Sequence, residues 1–191
     1  GGGGGGGEDS SSGSKVRKGV FIDSAVEGAS FTTATQSGIT DSAGAFNFLP
    51  GEIVSFYIGD ILIGSAPGQN LITPLGLVPG AIDETDPQVT NILRFVQSLD
   101  SDNDPDNGIT ISNIVATQAV GQSLDFSLAT APFETAANAL ISMLTSGAVT
   151  GLIDASTAQA HFVGRPTANN DGYTALEDIP FEIETAGILD N

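Results

Sequence analysis

Apolar and polar residues alternate in the first third of the chain, as they do in half-buried β-strands. Alternating positions occur at Val20 and Ile22, and again at Ala29, Phe31 and Thr33. Further strands are predicted over 53–58 and 61–63, and the dipeptide Gly59-Asp60 between them has the residue types of a tight turn. The segment 15–66 is therefore predicted to form a β-rich module.

A turn is predicted between residues 39 and 48, where small and polar residues separate two apolar segments. Asp41 can accept hydrogen bonds from the backbone that follows it, and Gly44 can adopt the positive φ that such a turn needs. Thr40-Asp41, Gly44, Phe46 and Pro50-Gly51 together resemble the carboxypeptidase-regulatory, transthyretin-like β-sandwich. That resemblance implies a structural or adhesive module without catalytic residues of its own.

Helical periodicity begins after a loop-rich stretch that follows residue 66. Asp86 is the predicted N-cap, Pro87 suits the first helical position, and the helix is expected to end at Leu99. Its predicted apolar face comprises Val89, Ile92, Leu93, Phe95, Val96 and Leu99.

Two more helices are predicted, over 132–144 and over 157–162, the second with Ser156 as its cap. A short strand is expected over 109–115. The chain is thus predicted to be an α+β protein: a flexible Gly/Ser leash (1–14), a β-sandwich (15–66), a helical part (67–164) and a C-terminal segment (165–191).

The charge of the chain is strongly acidic, with 23 acidic residues, 5 basic residues and a formal net charge of −18. Such a surface repels phosphate backbones, so no nucleic-acid partner is expected. Three of the basic residues cluster at Lys15, Arg17 and Lys18, and the two lysines are candidate donors for an internal Lys–Asn isopeptide bond. The absence of cysteine excludes disulfides and thiolate metal sites.

The segment 100–108 carries an aspartate at every second position directly after the first predicted helix. Helix C-termini disfavour anions, and the carboxylates also repel one another, so a bound cation would remove both penalties. Calcium prefers such oxygen ligands. The predicted ligands are Asp100, Asp102, Asp104, Asp106 and Asn107. The alternative is a solvated acidic loop in which Asn107-Gly108 forms a turn.

This segment resembles calcium loops of the EF-hand and thrombospondin types, but it departs from the EF-hand pattern. Pro105 stands where glycine is expected, and Ile111 stands where a bidentate glutamate belongs. The resemblance therefore implies a structural calcium site rather than a calcium sensor.

The C-terminal segment contains Asn169-Asn170-Asp171, then Tyr173, then Glu177-Asp178-Ile179-Pro180, and ends Gly187-Ile188-Leu189-Asp190-Asn191. These motifs resemble the start of the cadherin-like tandem repeats of bacterial adhesins. The resemblance implies calcium ligands at Asp171 and Asp178. The opening glycine tract resembles the region that follows the lipidated cysteine of bacterial lipoproteins, which implies a lipid anchor upstream of Gly1.

A non-enzymatic function is expected, because the single histidine, His161, lies in a short predicted helix and no nucleophile elbow, zinc-protease motif or phosphate loop is present. The leading hypothesis is a calcium-stabilised structural or adhesin protein, extracellular or on the outer-membrane surface of a Gram-negative bacterium. Its expected partners are other copies of itself, neighbouring modules, or a host or matrix surface. The alternatives are a subunit of a surface filament assembled by strand addition and a carboxylate-based hydrolase.

Overall fold

The computed structural model describes residues 13–164. The predicted C-terminal segment, with Asp171 and Asp178, and most of the predicted leash lie outside the described residues. Within them the predicted α+β class is confirmed. The strands are β1 (Arg17–Phe21), β2 (Val26–Glu27), β3 (Ser30–Thr32), β4 (Ser37–Ile39), β5 (Ala45–Phe48), β6 (Ile53–Ile58), β7 (Ile61–Pro67), β8 (Leu71–Ile72) and β9 (Ile109–Thr110). The helices are α1 (Pro87–Ser98), α2 (Asn113–Gln118), α3 (Thr130–Leu144) and α4 (Ala155–Val163), with 3₁₀ turns at Pro74–Leu77 and Pro105–Asn107.

The strands form three sheets. One has the order β5-β1-β8, with β1 antiparallel to β5 and parallel to β8. A second, fully antiparallel sheet has the order β4-β3-β6-β7. The third is the short parallel pair β2-β9. Because β4 and β5 belong to different sheets, the turn between them carries the chain from one sheet to the other.

That turn has the chemistry expected of it. The Asp41 carboxylate accepts hydrogen bonds from the backbone N–H groups of Ala43 and Ala45, at 2.9 and 3.0 Å. Gly44 has a φ of +73°, and an added Cβ there would lie 2.4 Å from the carbonyl oxygen of Phe21. Glycine is therefore required at this position for both backbone conformation and space.

Phenylalanine rings join the two larger sheets. Phe21 of β1 stacks on Phe56 of β6 with ring centroids 4.4 Å apart, and Phe46 of β5 meets the same ring edge-on at 5.1 Å. Phe21 is the buried large side chain of β1, whereas the flanking Val20 and Ile22 are only partly buried. The side chain that anchors the first strand is thus the one between the two predicted alternating positions.

Helix α1 begins as predicted, with Pro87 at its first position and the Asp86 carboxylate accepting from the N–H groups of Gln88 and Val89. The predicted apolar face is buried. The opposite face is buried too, since every residue from Val89 to Ser98 is buried. Helix α1 is therefore the central helix of the fold, and it packs against α3, α4 and the 3₁₀ turn at Pro74–Leu77.

Two predicted elements differ in the structure. The strand expected over 109–115 is limited to β9, because Ser112 accepts a hydrogen bond from the N–H of Val115 and starts helix α2. Helix α4 begins earlier than expected, after Asp154, so Ser156 lies inside it rather than at its cap. Both differences involve a serine, a residue type that occurs in strands, at helix caps and inside helices.

The β-rich and helical portions share one hydrophobic cluster that runs from Phe21 to Ala158. Strand β8 lies beyond residue 66 yet extends the sheet of β1, and β9 pairs with β2. None of the helices within residues 13–164 has the length and apolar character needed to cross a membrane.

Candidate functional site

The aspartate loop, residues 100–108, starts where helix α1 ends and returns to the fold at β9. Asp100 is its buried member, with 3% of its surface exposed. One carboxylate oxygen, Oδ1, accepts a hydrogen bond from the backbone N–H of Thr110 at 3.0 Å. The other, Oδ2, is buried and has no hydrogen-bond partner in the described part of the chain. An unpaired buried carboxylate oxygen is costly, and either a proton shared with the neighbouring Asp102 carboxylate or a bound cation would remove that cost.

Asp102 lies beside Asp100 and is exposed. Its carboxylate accepts from the side-chain amide of Asn107 at 2.8 Å and from the backbone N–H of Asp104 at 3.0 Å. These two donors, the Asn107 amide foremost, hold the pKa of Asp102 below its ordinary value. Burial raises the pKa of Asp100, and the neighbouring Asp102 carboxylate adds to that rise. The pair thus combines one stabilised anion with one that is penalised by its surroundings.

Asp104 and Asp106 are turned to other partners. Asp104 accepts a hydrogen bond from the backbone N–H of Asp106 at 3.3 Å. The Asp106 carboxylate lies 3.1 Å from Nδ1 of His161, on helix α4. Of the five predicted ligands, the structure therefore brings together Asp100, Asp102 and Asn107. Within residues 13–164, no three acidic or histidine side chains are already gathered as a metal-holding group.

Ser24, His161 and Asp106 have the connectivity of a hydrolase triad, which the sequence did not suggest. The Ser24 hydroxyl lies 3.2 Å from Nε2 of His161, and Nδ1 of the same ring faces Asp106. However, Ser24 is fully buried, and its hydroxyl donates to the backbone carbonyl of Pro105. A hydroxyl has one proton, and because Ser24 directs it to the Pro105 carbonyl, it is not offered to Nε2 of His161. That is the reverse of a nucleophile with its general base.

The Ser24–His161–Asp106 connection consequently acts as a brace. It links the turn after β1, the aspartate loop and helix α4, which are far apart in sequence. The loop's far end is held as well, because the Ile109 N–H donates to the carbonyl of Ala25 at 3.0 Å. The loop is thus anchored on both sides, while Asp102, Asp104 and Asp106 stay exposed.

A second buried carboxylate, Asp23, lies under this brace. The side-chain amide of Gln97 donates to both Asp23 oxygens, at 3.2 and 3.0 Å, and also approaches the carbonyl of Ala158 at 3.1 Å. Gln97 also lines a cavity of about 550 Å³, together with Asp106 and His161. Sequence reasoning assigned Asp23-Ser24 no role, because two small polar residues after a strand are typical of any turn.

No family model, curated protein or solved structure matched this chain. The arrangement around the aspartate loop is therefore interpreted from its own chemistry.

Proposed function

We propose that the chain is a calcium-stabilised extracellular structural or adhesive protein of a bacterial cell surface. The observation that carries the proposal is the buried Oδ2 of Asp100, which has no partner in the described residues and lies next to the carboxylate of Asp102. Leaving a buried polar atom unsatisfied costs about 1–3 kcal/mol. A hard cation coordinated by Asp100 and Asp102 would remove this cost, and calcium accepts both carboxylates and loop carbonyls.

The position of the loop gives calcium a mechanical role. Asp100 follows directly on α1, the central helix, and Thr110 belongs to β9, which pairs with β2. A cation bound at Asp100 would fix the joint between the helical core and the β-rich portion. We infer that residues 15–66 act as a transthyretin-like β-sandwich and that this joint keeps the sandwich and the helices in one unit under load.

Surface attachment belongs to the same proposal. The Gly/Ser segment at the start would hold the module off the outer membrane of a Gram-negative cell through an upstream lipid anchor. The cadherin-like motifs around Asp171 and Asp178 would begin the next module and supply further calcium ligands. A non-enzymatic role is favoured by Ser24, whose buried hydroxyl is committed to Pro105, and a carboxylate-based hydrolase remains the weaker candidate.

A surface filament assembled by strand addition is the second candidate, and the edge strand β4 favours it. All three residues of β4 are exposed at the border of the four-stranded sheet, and Ile39 is 67% exposed. An open edge with an apolar side chain is a template for pairing with another strand. Electron microscopy and size-exclusion chromatography test it: filaments that Ile39→Lys abolishes would support assembly, and a strict monomer in calcium would exclude it.

Thermal unfolding with calcium, with magnesium and with a chelator tests the leading proposal. At a calcium concentration about 100-fold above Kd, binding contributes about 2.7 kcal/mol. For a chain of this size that raises Tm by about 5–10 °C. Magnesium is expected to give a much smaller shift because it demands a tighter, octahedral site. Equal Tm values in calcium and chelator would refute the proposal.

A further inference from the structure

The basic cluster Lys15, Arg17 and Lys18 has no role in the calcium proposal, and it borders a separate cavity. This cavity, of about 560 Å³, opens at the end of the β5-β1-β8 sheet. Its lining residues are Arg17, Val20, Phe48, Pro50, Gly51, Gly68, Gln69, Asn70 and Leu71. Cavities of 300–1,000 Å³ are typical of small-molecule sites.

Two glycines allow the cavity wall to close around β1. An added Cβ on Gly19 would lie 2.4 Å from the carbonyl oxygen of Gln69, and one on Gly68 would lie 2.5 Å from the ring of Phe48. The loop that carries Gln69 and Asn70 therefore packs directly against the strand. The Val20 N–H donates to the Asn70 carbonyl at 3.0 Å and fixes the loop there.

The charge of the cavity is opposite to that of the protein. Arg17 lines it, and no acidic side chain is among the described residues of the wall, in a chain with 23 acidic residues. The nearest acidic residue in sequence, Glu52, is bound to the Thr35 hydroxyl at 2.6 Å and to the N–H of Leu49. Among residues 13–164, the side chains of Arg17, Gln69 and Asn70 make no hydrogen bond within the protein.

We propose that this cavity binds a carboxylate-bearing sugar, such as a uronate residue of an acidic polysaccharide. The guanidinium fork of Arg17 matches a carboxylate in a bidentate manner. The site has one lining cation within a protein of net charge −18, so a monoanion is favoured over a dianionic phosphate. The amides of Gln69 and Asn70 each offer a donor and an acceptor, which is what sugar hydroxyl groups require. Val20, Pro50 and Leu71 supply apolar surface for the ring.

Calorimetric titration of the full chain with the monoanion galacturonate tests the proposal, with neutral galactose as the control sugar. Saturable binding is expected for galacturonate, with Arg17→Ala weakening it at least about tenfold. Lys15→Ala is the matched control because it removes the same charge outside the cavity wall, and it is expected to weaken binding less than about threefold. Asn70→Ala is expected to fall between the two. Arg17 is exposed, so circular dichroism should show unchanged folding for these variants.

Each titration is run in calcium and in chelator, which separates this cavity from the aspartate loop. Binding in chelator that depends on Arg17 supports the proposal whether or not the protein binds calcium. Three results would overturn it: binding only in calcium with Arg17→Ala unaffected, equal affinity for galactose, or no saturation below about 20 mM.

Discussion

The carboxylate of Asp100 accepts a hydrogen bond from the backbone N–H of Thr110 at 3.0 Å, which closes the aspartate loop at its base. The same carboxylate keeps its second oxygen buried and unsatisfied among the described residues. One side chain therefore both shapes the loop and places a carboxylate in a buried position that disfavours its charge. Neutralising it without changing its shape separates the two contributions.

Asp100→Asn is expected to raise the unfolding free energy in chelator by about 1 kcal/mol, because it removes a buried charge beside Asp102 while an amide oxygen can still accept from Thr110. The same variant is expected to lose the stabilisation by calcium. Chemical denaturation with and without calcium measures both effects.

Asp125→Asn is the control for that variant. Asp125 accepts from the N–H of Ser127 at 2.9 Å in an exposed turn, so the charge change is equal but lies outside the loop. Its calcium response is expected to match that of the parent. A full calcium response in Asp100→Asn would remove Asp100 from the site.

Gly28→Ala is expected to destabilise the protein strongly. Gly28 has a φ of +87°, and an added Cβ would lie 2.2 Å from the carbonyl oxygen of Ile111, where the β-rich and helical portions meet. Gly80→Ala provides the comparison, since Gly80 has a φ of +82° but nothing within 4 Å of the added atom. Denaturation should show a loss of about 1 kcal/mol for Gly80→Ala and at least about 2 kcal/mol more for Gly28→Ala. Equal losses would mean that the contact at Ile111 is unimportant.

Arg94 is the buried cation of helix α1. Its Nε donates to the carbonyl of Ile153 at 2.7 Å, and Nη1 pairs with Glu134 at 2.8 Å. Arg94→Ala is expected to cost about 3–5 kcal/mol because both acceptors lose their donor and a cavity opens. Glu134→Gln should cost less, since this side chain is 40% exposed and an amide oxygen still accepts. Similar losses in thermal melts would contradict this ranking.

The pH dependence of stability should report on Asp41. Backbone N–H groups of Ala45 and Ala43 lower the pKa of Asp41 below 3.8. A lowered folded-state pKa means that the contribution is fully present above the unfolded-state pKa and is lost as pH falls through the folded-state pKa. Asp41→Asn is therefore expected to be less stable than the parent at pH 7, with the difference shrinking as the pH falls below 3.8 and through the folded-state pKa. A pH-independent difference would show that the charge of Asp41 does not contribute.

The elements that local chemistry specifies were predictable from the sequence. Asp86 and Pro87 define the start of α1 by themselves, and the Asp41–Gly44 turn needs only its own residues. The polar face of α1 could not be assigned, because the burial of Arg94 depends on Ile153 and Glu134, which are distant in sequence. Spacing alone indicated a helix with one solvent-facing side.

The calcium site in the aspartate loop stays a prediction, and the arrangement of the loop's side chains was not predictable from the sequence. Alternate aspartates led to the prediction of a bound cation, whereas the burial of Asp100 in the fold could not be read from their spacing. The contact between the Asp106 carboxylate and His161 could not be predicted, because it depends on helix α4 packing beside the loop. Ser24 was missed for the same reason, since its partners Pro105 and His161 are 81 and 137 residues away.

Isothermal titration of chelator-treated protein with calcium tests the central claim most directly. The account predicts saturable calcium binding to residues 13–164, with one site that Asp100→Asn abolishes and Asp125→Asn leaves intact. Binding that persists unchanged in Asp100→Asn, or no heat of binding in the parent at millimolar calcium (about 1–5 mM, the range of extracellular sites), would contradict it.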